Sequence, residues 1–137
     1  MAERIRQVDY FYIQVPDKPG EAARALETLR KAGVNLLAFS GFPQGRRSQL
    51  DFVPVNSAAF RKAARKAGWT LSTRKRGFLI QGDDRRGALA RILGRLADAK
   101  VNVTAVDAVS AGKGRYGAIL WVKPRDLKRA AQALGAR

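Results

Sequence analysis

The stretches FYIQVPDKPG at residues 11–20 and FLIQGDDRRG at residues 78–87 decide the fold of this chain. They lie 67 residues apart, and the same shift, applied without a gap from residue 11 to residue 68, gives 18 identical pairs out of 58. Self-similarity at a fixed period is the sequence signature of a repeated structural unit. The sequence therefore predicts two domains, residues 1–73 and residues 74–137, each a copy of the same unit.

Each copy has the same predicted order of elements. Residues 11–15 are largely aromatic and β-branched and end at Pro16, which predicts a strand. Apolar residues then recur at helical spacing as far as Gly33, which predicts a helix over residues 21–32. Periodicity and turn residues predict the other elements: strands at 34–42, 50–55, 78–81, 101–110 and 116–122, and helices at 58–67, around 89–96 and at 125–134. The order β-α-β-β-α, with room for a final strand, is typical of an α+β fold of ferredoxin-like (βαββαβ) domains, with antiparallel sheets and the helices on one face.

The final strand of each copy is expected from a different place in the chain. Residues 69–73 (WTLST) are a candidate strand for the first copy, whereas the second copy ends at residue 137 without an equivalent. The 67-residue shift maps residues 69–77 onto residues 2–10. Because an unpaired strand edge promotes aggregation, residues 3–8 are predicted to pair with the sheet of the second copy. A frayed terminus is the alternative.

The composition argues against catalysis. The chain has no cysteine and no histidine, the residues on which zinc sites and general acid–base catalysis most often depend. Asp83 and Asp84 form the only adjacent carboxylate pair, and Asp51 and Asp107 lie on predicted strands with no evident partner. We therefore expect no catalytic residue, no metal and no cofactor, and we predict that the protein is not an enzyme.

Charge and hydropathy bear on location and partners. The chain has no apolar run near the ~20 residues that cross a bilayer, and residues 1–6 lack the apolar core of a signal peptide. A cytoplasmic protein with no membrane partner is therefore expected. The net charge is +16. Because the cations are spread along the chain, solvated surfaces are the first interpretation of this charge, and a polyanion partner is the second.

The turn DKPG at residues 17–20 stands between the first strand and the first helix. Gly20 has no Cβ, so a ligand can approach its backbone, and the free N–H groups of Glu21 and Ala22 at the helix start favour a carboxylate. Gly20→Val is expected to block that approach without disturbing the fold. The same turn also suits a tight turn that caps a helix, and the residues alone leave both interpretations open.

Asn35 and Asn102 stand one residue into the second predicted strand of each copy, where an apolar residue is expected. The asparagine side chain carries donors and an acceptor and suits recognition of an amino acid. Completing a turn or a helix end is the alternative interpretation.

A known family shares this arrangement. The pattern VPDKPG at residues 15–20, a helix with Leu26 and Leu29, and AGVNL at residues 32–36 resembles the signature of the ACT domain, and the second copy, from DRRG at 84–87 to AKVNV at 99–103, resembles it too. ACT domains are regulatory modules that bind amino acids, commonly between two paired domains. The resemblance implies a non-catalytic regulatory protein that binds a free amino acid or similar small carboxylate at the interface between the repeats, with a separate regulated enzyme or regulator as partner. The ligand-binding residues expected from the resemblance and from the loops around it are Asp17, Pro19, Gly20, Glu21, Asn35, Asp84, Arg86, Gly87 and Asn102.

The second copy departs from the family pattern at two positions. Arg86 replaces a proline and Lys100 replaces a glycine, so the two sites are expected to differ in ligand or occupancy. A homodimer is expected, formed through the helix-free sheet face or through sheet edges.

The alternative function is nucleic-acid binding. RNA-recognition domains share the βαββαβ order and stack bases on aromatic residues of their strands. Tyr10, Phe11 and Tyr12 on the first strand, and loosely the stretch KGRYGA at residues 113–118, are the candidates for such stacking.

Overall fold

The computed structural model describes residues 3–137; residues 1 and 2, which the first expected domain includes, lie outside the described residues. Within that range the chain has the predicted α+β class, with six strands and four α-helices. None of these helices is both long and apolar enough to cross a bilayer. In chain order the elements are β1 (Arg4–Pro16), α1 (Glu21–Lys31), β2 (Leu36–Gln44), β3 (Arg47–Pro54), α2 (Ser57–Lys66), β4 (Lys75–Asp83), α3 (Ala88–Asp98), β5 (Ala105–Gly112), β6 (Arg115–Trp121) and α4 (Leu127–Leu134), the last preceded by a 3-10 turn at Pro124–Asp126.

The described residues divide into two compact units. The first unit is residues 9–75, with strand order β2-β3-β1. The second unit joins residues 3–8 to residues 76–137, with order β1-β4-β6-β5. Strand β1 belongs to both units, because residues 4–8 lie in the second and residues 9–16 in the first. The pairs β1–β3, β2–β3, β4–β6 and β5–β6 are all antiparallel.

In the first unit, one face of the strands carries the core. Phe11 lies opposite Phe52 and Ile13 opposite Leu50, and because side chains alternate along a strand, all four point to the same face. The Phe11 ring stacks on Phe60 of α2, with centroids 5.2 Å apart. Both helices contribute to one buried cluster, which consists of Phe11, Ile13, Ala25, Leu29, Leu50, Phe52, Phe60 and Ala63.

The second unit is built in the same way. Phe78 lies opposite Leu120 and Ile80 opposite Ala118 in the β4–β6 register. Helices α3 and α4 pack on that face, where the buried cluster is Phe78, Ile80, Ala88, Ile92, Leu96, Val101, Tyr116, Ala118, Leu120, Val122, Ala130 and Leu134. Each unit therefore has a core of its own, with both of its helices on one face of its strands.

Residues 3–8 lie with the second unit. The Gln7 N–H donates to the Arg137 carbonyl at 3.0 Å, and Arg76 Nη1 donates to Gln7 Oε1 at 3.4 Å. Val8 is buried, and Ile5 packs against the core of this unit. The first strand thus begins well before residues 11–15, where the apolar pattern alone placed it.

Residues 69–73 do not form the predicted strand. The Ser72 N–H donates to the Tyr12 carbonyl and the Tyr12 N–H donates to the Ser72 hydroxyl, both at 2.9 Å. Because a side-chain oxygen here replaces a backbone carbonyl as acceptor, the regular backbone ladder with β1 is interrupted at this residue.

After the two hairpins, residues that correspond in the structure are no longer 67 positions apart, so the ungapped alignment of the two copies is wrong there. Phe11 and Phe78, 67 residues apart, pair with Phe52 and Leu120, which are 68 apart. The additional residue lies in the second hairpin, where the register shifts between Ser110 and Gly112. A bulge inserts one residue and leaves the flanking pairs in place. By strand register, Ser48 therefore corresponds to Tyr116.

Candidate ligand-binding clefts

In the first unit, the loop after β1 and the ends of β2 and β3 enclose a cleft of about 400 Å³. Asp17 Oδ1 accepts a hydrogen bond from the Ser48 hydroxyl at 3.0 Å, which ties the loop to β3. The wall facing the loop is apolar and includes Phe39, Gly41, Pro43 and Leu50. Phe39 is 38% exposed, so part of this apolar wall is open to solvent. Phe42 also borders the cleft, but it lies opposite Gln49, so its side chain points to the other face of the sheet.

Helix α1 begins at this cleft. Gly20 precedes it with φ +91°, a conformation that favours glycine, and no side chain of the described residues caps the helix. Its first backbone bond runs from the Arg24 N–H to the Gly20 carbonyl, so the first-turn N–H groups keep their capacity to bind an anion. Glu21 also lines the cleft, and its carboxylate lies 2.7 Å from Arg24 and 4.0 Å from Lys18.

A smaller cleft, of about 190 Å³, occupies the equivalent place in the second unit. Asp84 Oδ2 accepts a hydrogen bond from the Ser110 hydroxyl at 3.0 Å, and the Asp84 N–H donates to the Gly114 carbonyl at 2.8 Å. Gly87, with φ +82°, precedes α3, which likewise begins without a side-chain cap from the described residues. Both units therefore place an aspartate bonded to a serine hydroxyl beside a glycine-started helix.

Tyr116 accounts for the smaller volume of the second cleft. It stands where the first unit has Ser48, and it is only 7% exposed. Its ring lies against Gly82, where an added Cβ would be 3.0 Å from Tyr116 Cε1; the first unit has Val15 at that position. The Tyr116 hydroxyl is buried without a hydrogen-bond partner in residues 3–137, and burial raises the pKa of Tyr116. The pair Val15–Ser48 leaves space that the pair Gly82–Tyr116 fills.

The structure brings some of the predicted site residues together. Asp17 and Glu21 line the first cleft and Asp84 lines the second, while Gly20 and Gly87 set the two helix starts. Pro19 and Arg86 are exposed in the loops and lie outside the cleft walls.

Ser48 and Ser110 also belong to the clefts, and no local motif in the sequence marks them. Tyr116 lies in the stretch KGRYGA, which was considered for base stacking and not for this cleft. Strand register places all three beside the loops.

Asn35 and Asn102 are not near the loops. They precede β2 and β5 instead of lying within them. Pro16 is opposite Arg47 at one end of β3, whereas the Asn35 carbonyl accepts from the Val55 N–H beyond the other end. Arg47 and Val55 are eight strand residues apart, which corresponds to about 26 Å between the DKPG loop and Asn35. Asn35 lies at the far end because β2 runs parallel to β1 and therefore begins at the end of the strands remote from the loop.

Gly20→Val is not the neutral change to the fold that the sequence led us to expect, because it strains the turn. A Cβ on Gly20 would meet only the Arg24 guanidinium, at 3.8 Å, so space is available. The obstacle is the backbone, because φ +91° is strained for a residue with a Cβ and most of all for a β-branched one.

The carboxylates that could suggest catalysis have structural partners. Asp83 is paired with Arg115 at 2.7 Å and with Arg85 at 3.6 Å. Asp51 is buried, and its Oδ1 accepts from Gln49 Nε2 at 2.9 Å, which corrects the expectation that it has no partner. Asp107 is exposed on β5.

The aromatic residues considered for base stacking are largely core residues. Phe11 is 1% exposed and Tyr116 is buried. Tyr10 is half-buried, and burial, together with Asp51 and Tyr12, raises its pKa to about 12. Tyr12 is partly exposed, with Lys75 Nζ 5.9 Å from its ring centroid. Two of these four candidate rings, Phe11 and Tyr116, are therefore core residues that cannot stack on a base.

No family model matches the sequence, and no curated protein sequence is significantly similar to it. Several solved structures are similar in fold. Protein BT0572 from Bacteroides thetaiotaomicron superposes with a TM-score of 0.82 at 17% identity, over 96% of this chain and 88% of that one. The regulatory subunit of aspartate kinase from Thermus thermophilus, in a ligand-free form, gives 0.65 at 16% identity, over 98% and 95%. A putative C-terminal regulatory domain of aspartate kinase from Porphyromonas gingivalis W83 gives 0.58 at 15% identity, over 98% and 94%.

These similarities cover nearly the whole of each compared structure, so they concern the complete arrangement of helices and strands. At such low identity they establish the fold and not the ligand. The chain therefore has the ACT-like fold of aspartate kinase regulatory domains.

Proposed function

We propose that this protein is a non-catalytic regulatory protein made of two ACT-like repeats, and that it binds a free amino acid in the clefts at the DKPG and DRRG loops. The observation that carries the proposal is that both units place an aspartate beside a helix start preceded by a left-handed glycine. Each aspartate is bonded to a serine hydroxyl, from β3 in the first unit and from β5 in the second. The solved structures of similar fold include regulatory domains of aspartate kinase, which supports a regulatory role and an associated enzyme as partner.

The first cleft has complementary groups for each part of an α-amino acid. The Asp17 carboxylate suits the ammonium group, and the first-turn N–H groups of α1 suit the carboxylate. The apolar wall at Phe39 and Leu50 suits an apolar side chain. We therefore expect an amino acid with an apolar side chain to bind best at this cleft.

The second cleft offers a weaker site. Its Asp84 repeats the carboxylate of the first cleft, but the Ala88 N–H at the helix start already donates to the Arg85 carbonyl at 3.1 Å. The Tyr116 ring also occupies the space that a ligand side chain would need. The two loops therefore differ in occupancy, with the first as the principal site.

A thermal-denaturation screen of the twenty amino acids tests this proposal. A ligand that binds only the folded state stabilises it by about 2.7 kcal/mol at a hundredfold excess over Kd, so a binding amino acid raises Tm. Asp17→Asn should remove most of the rise, because the amide no longer neutralises the ammonium group of a ligand in the first, principal cleft. Asp84→Asn changes only the weaker second cleft and should remove much less of it.

Two results would contradict the proposal. One is a screen in which no amino acid raises Tm. The other is an equal loss of ligand response in Asp17→Asn and Asp84→Asn, which would place the ligand outside the first cleft.

The alternative function, polyanion binding, keeps one supporting observation. Helix α2 has the sequence SAAFRKAARK, with four cations and no acidic residue. Binding of a nucleic acid to this helix would weaken steeply as salt rises, because counterions are released on binding, whereas amino-acid binding would change little.

A further inference from the structure

A cavity larger than either cleft lies in the first unit and shares only Val15 and Glu21 with the first cleft. Its volume is about 720 Å³, and its walls are β1 at residues 12–15, helix α1 and residues 68–72. Cavities of ~300–1,000 Å³ with apolar walls and a few convergent polar groups are typical of small-molecule sites.

The cavity exists because the chain after α2 pairs poorly with β1. Ser72 bonds to both backbone groups of Tyr12. The N–H and C=O groups of every second residue face the same edge of a strand. Those of Gln14, two residues after Tyr12, therefore face the same edge as those of Tyr12, where the cavity lies. Arg47 Nη2 donates to the Gln14 carbonyl at 3.2 Å, which places the Arg47 guanidinium at the cavity wall.

The second unit shows what occupies the corresponding place there. Gly82 is the counterpart of Val15, and a Cβ on Gly82 would lie 3.0 Å from Glu3 Cβ. The Glu3 carboxylate lies 3.5 Å from Arg95 Nη1, and Arg95 is the counterpart of Thr28 in the cavity wall. In the second unit the Glu3 side chain therefore fills the space between Gly82 and Arg95. The 67-residue shift puts Thr70 at the position of Glu3 in the first unit, and the corresponding space there is open.

Charge and lining indicate the chemistry of an occupant. Arg24 and Arg47 both line the cavity, against the single carboxylate of Glu21. Glu21 is paired with Arg24 at 2.7 Å, and the Arg24 guanidinium lies near Gly20, 3.8 Å from the position of an added Cβ. Two cations against one anion leave an excess of positive charge, and arginine binds carboxylates with directed, charge-assisted hydrogen bonds. The remaining wall includes the apolar side chains of Trp69 and Leu71.

We propose that this cavity is a further binding site, for a small organic carboxylate with an apolar body. The carboxylate binds Arg24 and Arg47, and the apolar body packs against Trp69. This site adjoins the first cleft through Val15 and Glu21 but does not include Asp17.

Phenylacetate is a suitable probe, and phenylacetamide, its uncharged isostere, is the matched control ligand. The chain has two tryptophans, of which Trp69 lines the cavity and Trp121 is buried in β6 of the second unit. In ¹⁵N-labelled protein, phenylacetate should shift the Trp69 indole N–H resonance saturably and leave that of Trp121 in place. Phenylacetamide should bind at least tenfold more weakly.

Matched variants locate the carboxylate. Arg24→Gln and Arg47→Gln should each weaken phenylacetate binding about tenfold, since each removes a charge-assisted hydrogen bond. Arg91→Gln removes the counterpart of Arg24 in the second unit and should leave binding unchanged. Asp17→Asn should also leave it unchanged, so the failure of this proposal is distinguishable from failure of the amino-acid proposal.

The proposal is overturned if phenylacetate at millimolar concentration does not move the Trp69 resonance, or if phenylacetamide binds equally well. Equal weakening by Arg24→Gln and Arg91→Gln would also overturn it, because it would show a general effect of net charge and not a site.

Discussion

At the scale of single residues, Gly20 and Gly33 form a matched pair. Both have positive φ, +91° and +73°, and neither is crowded by neighbouring atoms. Replacing either with alanine should lower the free energy of unfolding by about 1–2 kcal/mol, the cost of a Cβ in the left-handed region, as measured by urea denaturation. Only Gly20→Ala should also reduce amino-acid binding, because only Gly20 precedes the helix start at the first cleft. Equal ligand responses in the two variants would remove Gly20 from the site.

Tyr10 gives a prediction about pH at the same scale. Its pKa of about 12 in the folded chain exceeds the ordinary value of 10.0, so the unfolded chain loses the phenolic proton first as pH rises. The stabilisation is fully present below pH 10 and is lost as pH rises through 12. Between pH 9 and pH 12 the wild type should lose about 1 kcal/mol more stability than Tyr10→Phe, a value kept small because the half-exposed ring is screened by solvent. Urea denaturation at each pH measures the free energy of unfolding, and an equal loss between pH 9 and pH 12 in the two proteins would refute this.

At the scale of elements, the N-terminal half of β1 is predicted to be an integral part of the second unit. Ile5 packs on its core, Val8 is buried, and Glu3 and Gln7 bond to Arg95 and Arg137. The burial of Val8 and the partial burial of Ile5 are together worth about 2–4 kcal/mol. Deleting residues 1–8 should therefore lower Tm by roughly ten degrees or more and reduce solubility, whereas a truncated protein with unchanged Tm would show that the segment is only a tail.

At the scale of the whole molecule, the outer strands predict self-association. Strand β2 has no charged residue and β5 has only Asp107, in a chain of net charge +16. Val109 on β5 is 68% exposed, and an exposed, uncharged edge strand is a template for pairing with another chain. We expect a homodimer, measured as twice the monomer mass by light scattering, and weakened by Val109→Lys or Phe42→Lys according to the edge used. A strict monomer at high concentration would contradict this expectation.

The sequence by itself determined the class of elements, their order and the two loops that carry the candidate clefts. It could do so because helix periodicity, turn glycines and the repeat are local signals that survive without tertiary contacts. Asp17 and Asp84 were found in this way, since each lies within the loop that it marks.

Only the tertiary structure decided which residues face those loops. Pairing register between strands separated a predicted partner, Asn35, from Asp17 by about 26 Å and brought Ser48, Ser110 and Tyr116 to the clefts instead. A single additional residue in the second hairpin moved Tyr116 into the position of Ser48, a change that an ungapped comparison of the repeats cannot detect. The physical reason is that register depends on long-range backbone pairing, for which an insertion of one residue leaves no local pattern in the sequence.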